Sequence, residues 1–246
     1  MLLGLDGDAR YGHYMEVVRS APWAPKLATF AWKLVAGVLP FGKALGCRLA
    51  PGYKESTDEC LLCRAPGVKD CVDHVFGSCC VLQPVRDWVR VALQHTLGWA
   101  APLGMGEVRN MIYGRDDNTP VDTTIRGAAL DAVRTVRAAR ISSEHRIARA
   151  IQKGEPQEAR MLAPTPSALR KLLRGRLEAA IISDWQAAVG TLDGSHGKGD
   201  TDARAHGRRP RDMKEFLERW GSVCEMDGDE CVPRPRWLER GYRPAV

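Results

Sequence analysis

The sequence predicts a mainly α-helical protein: a small helical body gathered around a cysteine-rich turn, then two long basic amphipathic helices and a partly disordered tail. Three observations carry this. Apolar residues recur every three to four positions around residues 27–38, 81–93, 125–151 and 169–181, the spacing of one helix face. Helix-ending residues stand where these patterns stop, as at Pro40, Gly154 and Pro156. Five of the eight cysteines, with one histidine, crowd into CLLCRAPGVKDCVDHVFGSCC at 60–80.

The totals narrow the class. A chain of 246 residues holds one large domain or two small ones. Its 24 Gly and 15 Pro imply much loop. No apolar run reaches the length of about 18 residues that a membrane span needs, so no membrane partner is expected. The opening MLLGLDGDAR lacks the basic start and long apolar stretch of a secretory signal. An intracellular location, nucleus or cytoplasm, is therefore expected, where thiols meet metals more often than each other. A formal charge of +6 and a pI near 9.0 favour an acidic partner such as nucleic acid.

The first helical pattern runs through Leu27, Phe30, Leu34 and Val38 until Pro40, and Phe41 to Leu49 can form a second short helix. The cysteine cluster follows. Cys60 and Cys63 have the C-x2-C spacing that lets one tight turn aim two thiolates at one ion, and His74 and Cys79 follow as H-x4-C. Three thiolates and an imidazole make a closed tetrahedral Zn2+ shell with no open position for a catalytic water. The register stays open at this point, because Cys71, three residues before His74, could complete a set with Cys60 and Cys63, and Cys80 could replace Cys79. Asp70 and Asp73 read as solvated loop acids, with a hydrogen bond to the imidazole N–H as the alternative. After the cluster, Val81, Val85, Trp88, Val89 and Leu93 repeat at helical spacing. The aromatic residues of these flanks read as core, not as a base-stacking platform.

Taken together, Trp23, Pro25, Lys26, Phe30, Trp32, Leu39, Pro40, Leu45, Cys60, Cys63, His74, Phe76, Cys79 and Trp88 stand in an order that resembles the zinc-binding domain following the reverse transcriptase domain in non-LTR retrotransposon polyproteins. The resemblance spans roughly residues 20 to 95. It implies zinc on Cys60, Cys63, His74 and Cys79, with Cys71 and Cys80 outside. The chain keeps the family's acidic residue at Asp70 but departs from its pattern at Cys71, where Ser or Thr is usual, and at Val75.

Residues 97–121 turn to Gly, Pro and polar types and read as a linker, with one short helix near Glu107 to Tyr113. A long helix is then expected, capped by Asp122 or Thr123 and closed by Gly154, with Ile125, Ala129, Val133, Val136, Ile147 and Ile151 along one side. Another starts at Thr165 or Ser167 and runs to about Val189, with Leu169, Leu172, Leu173, Leu177 and Ile181 on its apolar face. Residues 122–190 carry twelve Lys or Arg against seven Asp or Glu, most of the chain's positive surplus. Arg134, Arg137, Arg140, Arg146, Arg149, Arg170, Lys171 and Arg174 are the candidate phosphate contacts, the alternative being two solvated amphipathic helices. Residues 191–246 read as a flexible tail with a short helix over Met213 to Trp220 and free thiols at Cys224 and Cys231. The expected organisation is thus an extension over 1–20, a zinc-binding domain over 21–96, the linker, the basic helices over 122–190 and the tail.

No catalysis is expected. Residues 1–20 cannot hold a palm domain, no aromatic-x-Asp-Asp signature occurs, and Asp116-Asp117 sits in a loop without a hydrophobic hairpin to present it. The resemblance implies a nucleic-acid-binding module acting on RNA or single-stranded DNA beside a reverse transcriptase supplied by another chain or a missing upstream region. A zinc-knuckle protein-interaction scaffold, or an inactive retroelement fragment, is the alternative.

Overall fold

The computed structural model describes residues 23–42, 44–45, 58–97, 120–155, 163–190, 213–221, 224–227 and 230–233. The expected linker except its ends, which are helical at Leu97 and Pro120–Val121, the helix near Glu107 to Tyr113, most of the helix over Phe41 to Leu49 and residues 191–212 of the tail lie outside them. The chain is mainly α. Helix α1 spans Pro25–Val35, α2 Gln83–Leu97, α3 Pro120–Lys153, α4 Pro166–Gly190 and α5 Met213–Trp220. A two-stranded antiparallel ribbon follows, β1 Cys224–Asp227 and β2 Glu230–Pro233, with Met226 opposite Cys231. No ribbon was expected there. Its acidic turn carries no apolar alternation to announce strands.

Helix α1 starts with Pro25, whose missing N–H costs nothing in a first turn. It ends earlier than its apolar stripe suggests. Ala36 caps it and Gly37 takes φ +67°, the left-handed turn that closes many helices, so Val38 falls outside and is exposed. Helix α3 likewise opens on a proline, Pro120, two residues before the expected caps. Gly154 at φ +67° closes it, as its position after the last apolar residue predicts. At α4, the Thr165 hydroxyl accepts the Ala168 N–H at 3.2 Å, an N-cap that satisfies one of the helix's orphan donors.

One continuous hydrophobic core runs through these helices. Leu27, Phe30 and Leu34 of α1, Val85, Val89 and Leu93 of α2, Ile125 and Val133 of α3, Leu173 and Leu177 of α4, and Phe216 and Trp220 of α5 all belong to it. The basic helices therefore pack into the same core as the cysteine-rich turn. At the far end, α5 is pinned to α4 by an edge-to-face pair of Trp185 and Phe216 at 5.3 Å and by the Trp220 indole N–H, which donates to Asp184 at 2.9 Å.

Two glycines in helix interiors have opposite roles. The Trp23 ring lies directly on Gly127 of α3, and its indole N–H donates to the Thr123 carbonyl at 3.1 Å. A Cβ on Gly127 would clash with the edge of that ring, 2.7 Å from Cδ1. Gly175 of α4 has nothing within 4 Å of such a Cβ. Gly175→Ala is thus expected to stabilise the fold by about 0.5–1 kcal/mol through helix propensity. Gly127→Val is expected to cost about 1–3 kcal/mol by overpacking, with Trp23 displaced. Urea denaturation of the two variants, giving shifts of opposite sign, checks the contact.

Candidate metal centre

The C-x2-C half of the cluster sits on a backbone-bonded turn. The Cys60 N–H donates to the Val68 carbonyl at 2.7 Å, and the Arg64 N–H donates back to the Cys60 carbonyl at 2.9 Å. Arg64 at φ +50° and Gly67 at φ +72° turn the chain through. A bridge between Glu59 and Lys69, with the Asp70 N–H donating to the Asp58 carbonyl at 2.6 Å, closes the base. Both thiols of one short segment thereby face the same way.

The H-x4-C half is set by a rarer device, a π-helical turn over His74–Ser78 in which the Cys79 N–H donates to the His74 carbonyl at 2.7 Å. The wider turn places residues five apart on one side, as this spacing needs. An α-helix would rotate Cys79 away from His74.

The two halves meet. The donor atoms of Cys60, Cys63, His74 and Cys79 all lie within 4.8 Å of one another. Cys60 Sγ is 4.0 Å from Cys79 Sγ, and Cys63 Sγ is 3.4 Å from His74 Nε2. A tetrahedral zinc ion, with bonds of about 2.3 Å to sulfur and about 2.0 Å to nitrogen, holds two sulfurs about 3.8 Å apart and a sulfur and a nitrogen about 3.5 Å apart. Both of these separations match such an ion, and the four donors are close enough together to share one metal ion. Cys71 and Cys80 are exposed and take no part in the group, so the geometry selects one register of those the spacing leaves open.

The surroundings suit the same chemistry. Nδ1 of His74 lies 3.0 Å from Ser78 Oγ, and with a metal on Nε2 it would carry the proton and donate it to that hydroxyl. Neither Asp70 nor Asp73 takes that proton. Sequence reading missed Ser78, although its offset of four residues from His74 was there to be used. Arg86 is buried beside the cluster and donates to the Cys79 carbonyl at 2.9 Å. Three thiolates around a divalent ion would carry one surplus negative charge, which this guanidinium would offset. Burial pulls Arg86 below its ordinary range, and the Cys79 thiolate opposes that shift. Without an ion, the hydrogen bond with Cys79, and then burial, push the Cys60 thiol far up, while the same bond holds Cys79 down. Burial pushes Cys63 up and His74 down. Filling the site must therefore displace protons from sulfur, and metal affinity falls as pH falls. Ser78→Ala is expected to weaken metal affinity by about 10- to 100-fold without removing a ligand. Competition with a chromophoric chelator measures it.

The candidate phosphate contacts divide. Arg137 and Arg140 are buried and committed to the cysteine-rich turn, so they do not form a phosphate-tracking face. Arg137 pairs with Asp70 at 3.2 Å, donates to the Pro40 carbonyl at 3.0 Å and lies 4.1 Å over the Phe41 ring. Asp70, read from sequence as a solvated acid, is itself buried and also accepts the Gly42 N–H at 3.0 Å. Arg140 Nε donates to the Leu61 carbonyl at 3.2 Å. One turn on, Glu144 is buried and pairs with Arg64. Residues 137, 140 and 144 share one face of α3, and that face grips the turn. Arg134 is half-buried and bound to Asp131, and Arg174 pairs with Glu178 at 2.7 Å. Arg146, Arg149, Arg170 and Lys171 are exposed.

Among the aromatic residues, Trp23, Phe30, Phe76 and Trp88 are buried, as a core role requires, and Trp32 is exposed. Cys224 is buried and in no disulfide, and the side chain of Cys231 lies outside the described residues. Among the described residues, no helix is long and apolar enough to cross a membrane. No family model, curated protein or solved structure matches the chain.

Proposed function

We propose that the chain is a zinc-stabilised nucleic-acid-binding module, akin to the zinc-binding domain that follows the reverse transcriptase in non-LTR retrotransposon polyproteins, and without catalysis of its own. The observation that carries it is the gathering of the donor atoms of Cys60, Cys63, His74 and Cys79 within 4.8 Å of one another. These are the positions that the resemblance assigns as ligands. Four protein donors fill a tetrahedral ion, so the metal would be structural. Binding falls to the cations that the fold leaves outside: Arg146, Arg149 and Lys153, recurring along one exposed stripe of α3, and Arg170 and Lys171 at the start of α4.

A single-stranded RNA labelled for fluorescence anisotropy tests this. Each phosphate contact is expected to lower the slope of log affinity against log salt by about 0.7. Reversing Arg146 and Arg149 to Glu is expected to weaken binding about tenfold or more, with an unchanged circular dichroism spectrum. Unchanged affinity would favour the second reading, a protein-interaction scaffold. A specific observation favours that reading too: the fold spends Arg137 and Arg140 internally and so thins the basic face.

A further inference from the structure

We propose that the cleft between α1, α3 and α4 binds a small organic anion, an apolar body with a single carboxylate or phosphate head. The cleft has a volume of about 540 Å3, within the range of about 300–1,000 Å3 typical of ligand pockets. It lies apart from the metal centre, and its lining shares no residue with the ligand set.

Its chemistry is divided. Trp23, Leu27, Ala128 and Ala180 supply an apolar wall. Arg134 of α3 and Arg176 of α4 stand on either side of Asp131. Arg134 Nε donates to Asp131 Oδ1 at 2.8 Å, and Arg176 Nε lies 2.8 Å from Oδ2. Two guanidinium groups from two helices thus share one carboxylate, whose side chain is only 11% exposed. Asp131 neutralises one of them, not both. The other acid in the lining, Asp184, accepts the Trp220 indole N–H, and Lys26 adds a further cation. Three cations against two acids leave one positive charge in excess at the polar side of an otherwise apolar cleft.

The shared aspartate also fixes the arginines. Held on rigid helices, the two planar forks are oriented before any ligand arrives, which lowers the entropic cost of binding. Each guanidinium has five N–H donors, so both retain N–H groups beyond those given to Asp131. Carboxylate and phosphate heads match that fork geometry, and the charge assistance makes these the stronger hydrogen bonds. An inorganic anion would leave the apolar wall unused, and a neutral apolar compound would leave the excess charge unpaired.

Titration calorimetry on the full chain with three matched probes, 1-naphthoate, 1-naphthyl phosphate and neutral 1-naphthamide, tests the site. At least one anion is expected to bind about tenfold or more tightly than the amide, and the tighter of the two names the head group. Ala180→Leu, which fills the cleft without touching its charges, is expected to weaken both anions about tenfold or more while leaving the melting temperature in place. Arg176→Gln is expected to weaken the anions and spare the amide. Binding of the amide as tight as that of both anions, undiminished affinity in Ala180→Leu, or no heat from either anion up to millimolar concentration would each overturn the proposal. None of these outcomes bears on metal content or RNA binding.

Discussion

Replacing Arg137 with Met is expected to destabilise the protein by about 3–5 kcal/mol, the usual consequence of stranding one partner of a buried ion pair. The side chains of Arg137 and Asp70 are 3% and 1% exposed. Met fills much of the same volume but offers Asp70 no charge and the Pro40 carbonyl no donor. Domains have a net stability of only about 5–15 kcal/mol, so this single change removes a large share. The pair also holds three segments at once, through Gly42 and Pro40 after α1, Asp70 after the cysteine turn, and α3. Adding Asp70→Asn to Arg137→Met removes the stranded charge, and the double variant is expected to recover part of the loss. A coupling energy below about 0.5 kcal/mol in that cycle would show the two residues to be independent. Arg149→Met serves as the contrast. It alters an exposed position on the same helix and is expected to shift stability by less than about 0.5 kcal/mol. Urea midpoints of Arg137→Met, Asp70→Asn, the double variant and Arg149→Met decide the matter. A surface role in phosphate binding predicts no difference between Arg137 and Arg149.

That contrast shows where sequence reading stops. Residues 134, 137, 140, 146 and 149 look alike in one dimension, a row of arginines on a long helix. What separates them is the partner, and for Arg137 and Arg140 the partners Asp70 and Leu61 lie 67 and 79 positions away. Helix periodicity gives a face but not what the face meets. By contrast, the helices themselves were legible because their signals are local. Leu169, Leu173, Leu177 and Ile181 recur at helical spacing and are all buried, and Met213–Trp220 forms the helix expected there. The four donors were legible because ligand spacing reflects the turns that hold them. Spacing alone left their register open and only the resemblance pointed to Cys79 over Cys71; the physical reason is the π-helical turn, and no residue in HVFGS announces one. Asp70 was misjudged because a carboxylate in a Gly- and Lys-bearing loop reads as solvated until its arginine is found.

Stripping the ion with a chelator is expected to abolish the cooperative fold, not merely to loosen the turn that holds it. Structural zinc contributes about 10–16 kcal/mol of apparent binding free energy at neutral pH in small finger peptides. That matches or exceeds the whole net stability of a typical domain. From the sequence alone, the loss would be confined to residues 21–93, with the later helices surviving. The structure argues for a wider loss. The cysteine turn carries Arg64, Leu61 and Asp70, which face Glu144, Arg140 and Arg137 of α3. When the turn loses its ion, those three α3 side chains lose these contacts together, and the buried Arg137 loses the carboxylate that neutralises it. The core is shared as well, with Cys60, Cys79 and Phe76 in the same cluster as Ile125 and Leu173. Thermal melts followed by circular dichroism, with and without chelator, should therefore show one transition that disappears, not two of which the second remains. Cys60→Ser and Cys79→Ser should reproduce the chelated melt and lose stoichiometric metal, whereas Cys71→Ser and Cys80→Ser, at exposed positions, should retain both fold and ion. A chelated protein that melts as the untreated one does would leave the four side chains as nothing more than buried neighbours. Survival of α3 and α4 after chelation would instead keep the ion and refute the clamp.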